Sequence, residues 1–457
     1  MSEMIDIIVD SQTYKVENGS LLIDLLIREK IKVPYFCYHE SLGADGNCRM
    51  CMVEIEGQKR PQIACDTLVK PGMEIRSKGE NIEKVRTNIL ELELINHPVD
   101  CPTCDQAGEC SLQDFYMDYG LHNTKVTIAQ KVKHEKHIDL GSNVMLDQER
   151  CVLCARCTRF TDKITHTHEL GIIGRGDEAK VSTMPGRKLD NPYAMNIVDL
   201  CPVGALTSKD FRFAQRVWFL QTANSVCHGC AKGCNIYIDH NKMKYKDDII
   251  YRFRPRKNNE VNGFFMCDEG RLSYKKLQEN RLESPLLNGE DITEQEAFAK
   301  VKSLIEKYKN DISMVIDASL YTEEIEAIVA FAKEVGAKVC SPKEVYRDEA
   351  FEDDMLRCAD RAANAKTIER LNIDTNEPKC EGLLLNFNHP QDFKAPSVVN
   401  FLTHKRASAG LSLPIAAYSE NEGTLTNKDG ITQKCEKAIF KNKPIPTLIE
   451  SLQKVKA

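Results

Sequence analysis

The sequence predicts a multidomain chain of α+β and α/β type. It should have a small sheet domain at the N-terminus, a cysteine-rich middle and a parallel α/β domain at the C-terminus. Three observations carry this reading. Fifteen of the 19 cysteines precede residue 268, many at CxxC-like spacings. Short apolar strand-like runs surround one helical stretch in the first 78 residues. After Ser284-Pro285 the cysteine theme stops and strands alternate with helices, as in a parallel sheet. A length of 457 residues suggests about three domains.

Within residues 1–78, Ile5–Val9 and Tyr14–Val16 read as a hairpin. Ser20 can cap a helix whose apolar positions are Leu21, Leu22, Leu25 and Leu26. Met52–Glu56 and Gln62–Val69 supply further strands. Residues 81–96 form an amphipathic helix, with Ile82, Val85, Ile89 and Leu92 on one face. Cysteine-rich segments follow to about residue 120, then over 145–215 and 221–272. Farther on, Thr293–Glu296 is a capping box opening a helix. Ile312–Ile316 is a strand, Thr322–Val335 a helix stopped by Gly336, and Ala337–Val339 a second strand. Leu383–Phe387 and Pro414–Tyr418 are further strands. No GxGxxG fingerprint accompanies this pattern, so no nucleotide is assigned to it.

Composition narrows the function classes. The chain is 42% hydrophobic and 28% charged, which suits a globular fold. No run of 18 apolar residues appears, so any membrane association is expected to be indirect. The start, MSEMIDIIVD, lacks the basic and apolar regions of a signal peptide, and a cytosolic location is the default expectation. A net charge of −6 gives no reason to expect nucleic acid as a partner. In a reducing compartment, cysteines at these spacings point to metal.

Four ligand groups emerge. Iron in iron–sulfur clusters is held by thiolates in short loops, with small residues between them so that backbone N–H groups approach the sulfurs. The first group is Cys37, Cys48, Cys51 and Cys65, spaced C-x10-C-x2-C-x13-C, a variant of the plant-type ferredoxin pattern. The small sheet domain before it favours [2Fe–2S], with structural zinc as the competing reading. The second is His97, Cys101, Cys104 and Cys110, where the histidine completes three closely spaced cysteines. A neutral imidazole should raise a cluster's potential relative to a thiolate. The bland reading is a surface histidine beside Pro98.

The third group is Cys151, Cys154, Cys157 and the distant Cys201-Pro202, a bacterial-ferredoxin signature for [4Fe–4S] with a long insertion. The fourth is Cys227, Cys230, Cys234 and Cys267, suited to a [4Fe–4S] cube, with zinc again as the alternative. Cys340, Cys358, Cys380 and Cys435 are scattered singly and read as small hydrophobes. His166 and His168 read as a polar surface loop. The Lys242–Lys257 basic stretch, with Asp239, Asp247 and Asp248 interspersed, reads as a solvated face. No catalytic constellation stands out.

The stretches DGNCRMCMVEI (45–55), HPVDCPTCDQAGECSLQD (97–114), ERCVLCARCTRF (149–160), VDLCPVGALTS (198–208) and CDEGR (267–271) resemble the large iron–sulfur subunit of bacterial NADH-quinone oxidoreductase, respiratory complex I. The resemblance covers residues 1–275 almost continuously. It implies one [2Fe–2S] and three [4Fe–4S] clusters on the sixteen residues above. The implied segments are a β-grasp [2Fe–2S] ferredoxin-like domain (1–78), a [4Fe–4S] domain with one histidine and three cysteines (79–120), a [4Fe–4S] ferredoxin-like domain (121–220), a molybdopterin-oxidoreductase-type [4Fe–4S] domain (221–277) and a truncated α/β domain without pterin (278–457).

Glu422–Thr424, Thr426, Asn427, Gly430 and Gln433 resemble a motif of the molybdopterin fold. Only 190 residues follow Cys267, and Glu269 stands where molybdoenzymes usually carry lysine; both argue against molybdopterin. The implied role is electron transfer from an NADH/FMN-binding flavoprotein subunit toward ferredoxin-like and quinone-side subunits. The complex would sit peripherally on the inner face of the plasma membrane. The alternative is a diaphorase-type subunit of an NAD-linked hydrogenase or formate dehydrogenase. A catalytic molybdoenzyme and a zinc-stapled scaffold are the remaining readings.

Overall fold

A computed structural model describes residues 3–123, 125–244, 246–309, 311–407 and 410–457. Met1 and Ser2, where the segment expected to lack a signal peptide begins, lie outside the described residues. The chain divides into two compact units, Met1–Trp218 and Phe219–Ala457. Among the described residues, no helix is long and apolar enough to cross a membrane.

The first unit opens with strands β1 (Met4–Val9) and β2 (Gln12–Glu17), helix α1 (Leu22–Arg28), and strands β3 (Met52–Ile55), β4 (Gln62–Ile63) and β5 (Glu74–Arg76). The sheet order is β2-β1-β5-β3-β4, with β1 and β5 parallel. Leu22, Leu25 and Leu26 of α1 are buried in the core beneath it. The predicted hairpin is present. Ser20 is not the helix cap: its Oγ donates to the Glu17 carbonyl at 2.8 Å, and the Leu22 N–H is taken by the Thr67 carbonyl. The strand expected over Gln62–Val69 stops at Ile63. There Ala64 N donates to Cys51 O at 2.9 Å and Thr67 Oγ1 to Ile63 O at 2.7 Å, turning the chain around Cys65.

Helix α2 (Glu80–Leu94) buries Ile82, Arg86 and Leu90. The face expected is met in part: Ile82 is buried and Val85 and Ile89 are half-buried, but Leu92 is 68% exposed and Arg86 is buried. The Arg86 guanidinium rotates the helix toward itself. It donates to Met52 O at 2.9 Å and Tyr119 Oη at 3.3 Å. Next come α3 (Ser111–Tyr119), β6 (Ile138–Gly141), β7 (Val144–Leu146), α4 (Arg156–Lys163), β8 (Leu170–Ile173), β9 (Lys180–Thr183), α5 (Asn196–Leu200) and β10 (Leu206–Ser208). Strands β10, β7 and β6 form one small sheet; β8 and β9 form a hairpin within the long insertion between Cys157 and Cys201.

The second unit begins with the antiparallel sheet β11 (Gln221–Val226), β12 (Asn235–Lys242) and β13 (Asp248–Pro255), then helices α6 (Asp268–Leu272) and α7 (Tyr274–Gln278). The basic stretch on β13 is only partly a solvated face. Asp239 is buried between Arg252 (2.7 Å) and Arg254 (2.6 Å), and Asp248 is buried against His240 (2.9 Å). Asp239 lies on the face of β12 opposite the core residues Ile236 and Ile238 and is covered by the cross-strand arginines, while Asp248 is buried against the His240 imidazole.

The α/β part holds β14 (Leu286–Leu287), β15 (Glu290–Asp291), α8 (Glu294–Lys307), β16 (Ile312–Ile316), α9 (Thr322–Val335), β17 (Lys338–Cys340), α10 (Ala365–Arg370), β18 (Leu383–Phe387), β19 (Ser397–Leu402), β20 (Leu411–Pro414), β21 (Gly423–Thr426), β22 (Thr432–Cys435) and α11 (Leu448–Lys456). Among the described residues the main sheet runs β15-β14-β20-β19-β18-β16-β17, with β17, β16, β18, β19 and β20 parallel. The parallel sheet, the Thr293 capping box and the Gly336 stop match expectation. Strand β17 starts one residue late because Ala337 N–H closes the helix end on Ala332 O at 2.8 Å. The strand expected over Pro414–Tyr418 ends at Pro414. Beyond it Ala416 pairs with Pro446, and Ala417 N–H turns to Glu420.

Candidate metal centres

The four cysteines of the first group converge at the rim of the β1–β5 sheet and are all buried. The turn at Ala64–Asp66 brings Cys65 beside Cys37 and Cys51, and Phe36 N–H points at Cys48 Sγ at 3.4 Å. Hydrogen bonds from Cys48 and Cys65 hold the Cys37 thiol well below its ordinary value. Gly46, with φ of +74°, permits the loop to double back and brings its N–H to Cys37.

Cys151, Cys154, Cys157 and Cys201 line one cavity with Val152, Val181 and Val203. Leu153 N–H faces Cys151 Sγ at 3.4 Å, and the N–H groups of Val203, Leu206 and Ala205 face Cys201. Burial pushes the Cys151 and Cys154 thiols up to about 12. Such thiols ionise only when a cation takes the proton's place, which is the chemistry of iron ligation.

Two arginines of α4, which the cysteine spacing does not single out, tie this loop to the first group. Buried Arg156 donates through Nη1 to Leu200 O at 3.0 Å and through Nη2 to Tyr38 O at 2.6 Å. Arg159 donates to Gly43 O at 3.0 Å and to Cys37 O. Asn47 Nδ2 adds a bond to Leu153 O at 3.2 Å. The only signal of them in the sequence is an arginine lodged between two cysteines, in CVLCARCTR.

The second group lies between α2 and α3. Cys101–Thr103 make a short 3-10 turn and Cys110 precedes α3. The His97 Nδ1 atom is buried and has no hydrogen-bond partner. Burial holds this imidazole down at about 4, so it stays neutral, as a ligand must be. This loop abuts the third group. Ser111 N donates to Pro202 O at 2.9 Å, and a Cβ on Gly204 would overlap Cys104 Sγ.

The fourth group lies in the second unit. Cys227, Cys230, Cys234 and Cys267 line a cavity of about 310 Å³ shared with Met266, Phe351 and Leu356. Gly229 and Gly270 aim N–H groups at Cys227 and Cys267 Sγ, at 3.4 and 3.3 Å. Arg361 spans both ligand-bearing segments: Nε donates to Gly229 O at 2.7 Å and Nη2 pairs with Glu269, while the guanidinium lies 3.7 Å over the Phe351 ring. Replacing Arg361 by methionine should therefore lower the fourth centre's midpoint potential, since a cation beside a cluster favours the added electron. Redox titration checks this, and Arg361→Lys should recover most of the shift.

The donor sets fit iron–sulfur clusters. All 19 cysteines are free thiols, backbone N–H groups face the sulfurs, and a buried imidazole nitrogen lacks a partner. Among the described residues, no group of three or more His, Cys, Asp or Glu side chains is spaced to hold a single bare metal ion. His166 and His168 sit exposed, satisfied by the Asp162 carbonyl and carboxylate respectively.

Family models match four segments of the chain. Residues 2–80 match a 2Fe-2S iron-sulfur cluster binding domain, and 86–125 the NADH-ubiquinone oxidoreductase-G iron-sulfur binding region. Residues 141–207 match the ferredoxin-like domain of NADH-quinone oxidoreductase subunit 3, and 220–279 the molybdopterin oxidoreductase Fe4S4 domain. Fold and sites together define an iron–sulfur protein with both 2Fe-2S and 4Fe-4S binding domains.

Its curated relatives are named as subunits of NADH-quinone and NADH-ubiquinone oxidoreductases, and the chain is related to that family. It is 34% identical over 371 residues to the NADH-ubiquinone oxidoreductase 75 kDa subunit of Reclinomonas americana, covering 78% of this chain and 52% of that one. It is 35% identical over 330 residues to the NADH-quinone oxidoreductase G subunit of Rickettsia prowazekii (strain Madrid E), covering 70% and 47%. Against the corresponding protein of Streptomyces coelicolor the figures are 36% over 288 residues, 62% and 34%. The chain spans about half the length of the first two of these relatives or less.

Proposed function

We propose that this chain is the electron-transfer iron–sulfur subunit of an NADH:quinone oxidoreductase. It would take electrons from an NADH/FMN-binding flavoprotein subunit and deliver them toward quinone through ferredoxin-like partners. In this reading Cys37, Cys48, Cys51 and Cys65 hold a [2Fe–2S] cluster. His97 with Cys101, Cys104 and Cys110, Cys151 with Cys154, Cys157 and Cys201, and Cys227 with Cys230, Cys234 and Cys267 hold three [4Fe–4S] clusters. Segments 1–78, 79–120, 121–220 and 221–277 carry one centre each, and 278–457 carries no pterin. The complex attaches this chain to the inner face of the plasma membrane from outside the bilayer.

The observation that carries the reading is the contiguity of the first three ligand loops. Arg156 and Arg159 bond the Cys37 loop to the Cys151–Cys157 loop, and Ser111 and Gly204 join the latter's Cys201 end to the Cys104–Cys110 loop. The clusters, when bound, supply one-electron transfer without bond chemistry. The chain's residues hold them close together, exclude water from the thiols, and aim N–H dipoles at the sulfurs.

Metal and acid-labile sulfide analysis of anaerobically purified protein tests the inventory. One binuclear and three tetranuclear clusters give about 14 iron atoms per chain, with matching sulfide and no molybdenum. Zinc in place of iron, or stoichiometric molybdenum, would overturn the proposal. Flavoprotein and quinone-side subunits should co-purify; a hydrogenase or formate dehydrogenase partner would reassign the terminus.

A further inference from the structure

The backbone carrying His97 is held from two sides. Helix α2 ends at Leu94, leaving its last carbonyls without intrahelical donors. Lys131 Nζ takes three of the carbonyls here: Leu94 O at 2.7 Å, Ile95 O at 3.0 Å and His97 O at 2.8 Å. An ammonium has three N–H donors, and all are used. Val132 N–H bonds Asn96 Oδ1 at 3.1 Å, so residues 131–132 grip 94, 95, 96 and 97 in turn.

The segment needs such a grip. Pro98 has no N–H to offer, and Val99 sits at φ of +51°, a strained conformation for a β-branched residue that persists only when its surroundings impose it. On the far side Asp100 is fixed by Arg150, with Nε to Oδ1 at 3.0 Å and Nη2 to Oδ2 at 2.8 Å. His97 is thus suspended between an ammonium clamp and a bidentate guanidinium clamp.

We propose that Lys131 is a positioning residue for the second centre, clamping the backbone that presents the His97 imidazole and placing a cation beside it. This rests on the reading of His97 as an iron ligand. Loss of the clamp frees three carbonyls and lets Val99 relax toward negative φ, drawing the ring off its position. Loss of the charge disfavours an added electron.

The test uses the full chain, loaded anaerobically, with EPR-monitored redox titration. Lys131→Met should change the g-values of the second centre or abolish its signal, and any signal that remains should titrate at a more negative potential. Lys131→Arg should restore both. Signals of the other three centres in the same sample report folding. If Lys131→Met abolishes all four, Lys131→Gln is judged by the same criterion. Wild-type g-values and potential in a folded Lys131→Met or Lys131→Gln chain would overturn the proposal. His97→Cys separates the two readings: an unchanged second centre in that variant removes the ligand assignment itself, whatever Lys131 does.

Discussion

Arg156→Met is expected to destabilise the first unit and to disturb two metal centres at once. The side chain is buried, and its guanidinium satisfies the Leu200 and Tyr38 carbonyls beside Cys201 and Cys37. Methionine fills much of the volume but donates nothing. Each stranded buried carbonyl costs roughly 1–3 kcal/mol. A fall of several degrees in the unfolding temperature should follow. The EPR signals of the first and third centres should change together, because one side chain positions a backbone neighbour of each. A change confined to one centre would show that the arginine braces that centre alone, and an unaltered unfolding temperature with both signals unchanged would show that it braces neither. Arg159→Met, which strands the Cys37 and Gly43 carbonyls, should weigh more heavily on the first centre.

Gly204→Ala is the second large effect. The new Cβ would overlap Cys104 Sγ and come within 3.1 Å of Gln106 Cβ and 3.6 Å of Arg150 Cδ. A free thiol can rotate away from such a methyl; a thiolate fixed by iron cannot. The metal-free chain should therefore tolerate the substitution at a cost of about 1–3 kcal/mol, the usual range for overpacking. The loaded chain should lose the second centre, and iron should fall by about four atoms per chain. Full iron content with an unshifted second-centre signal would mean that Cys104 stands clear of Gly204 when loaded.

The proposed ligand groups are marked in the sequence because closely spaced cysteines leave a pattern that little else produces. Most of the parallel sheet is legible too, since strands such as Ile312–Ile316 and Leu383–Phe387 are mostly apolar runs buried on both faces. Polar groups buried for geometric reasons are what the sequence hides. Arg86 occupies the middle of an otherwise apolar helix stripe, and it turns the buried face of α2 partly away from the one periodicity marks. Arg156, Arg159, Lys131 and Arg361 act through carbonyls distant in sequence, so no local pattern marks them. Asp239 and Asp248 look like surface charge until cross-strand pairing supplies their partners. Ser20 obeys its local preference for bonding a backbone group, but takes the turn behind it over the helix ahead.

The brace between Cys37 and α4 also has a consequence for how the chain is made. All four thiols of the first group have been synthesised once Cys65 is added, yet the arginines that fix the Cys37 loop belong to a helix made much later. A nascent chain thus passes through a stage in which its earliest set of thiols is complete but unbraced, open to oxygen and to the wrong metal. Loading before α4 docks would trap iron in a looser site. Loading afterwards would let the first and third centres form around one shared brace, so that a fault in α4 itself should weaken both.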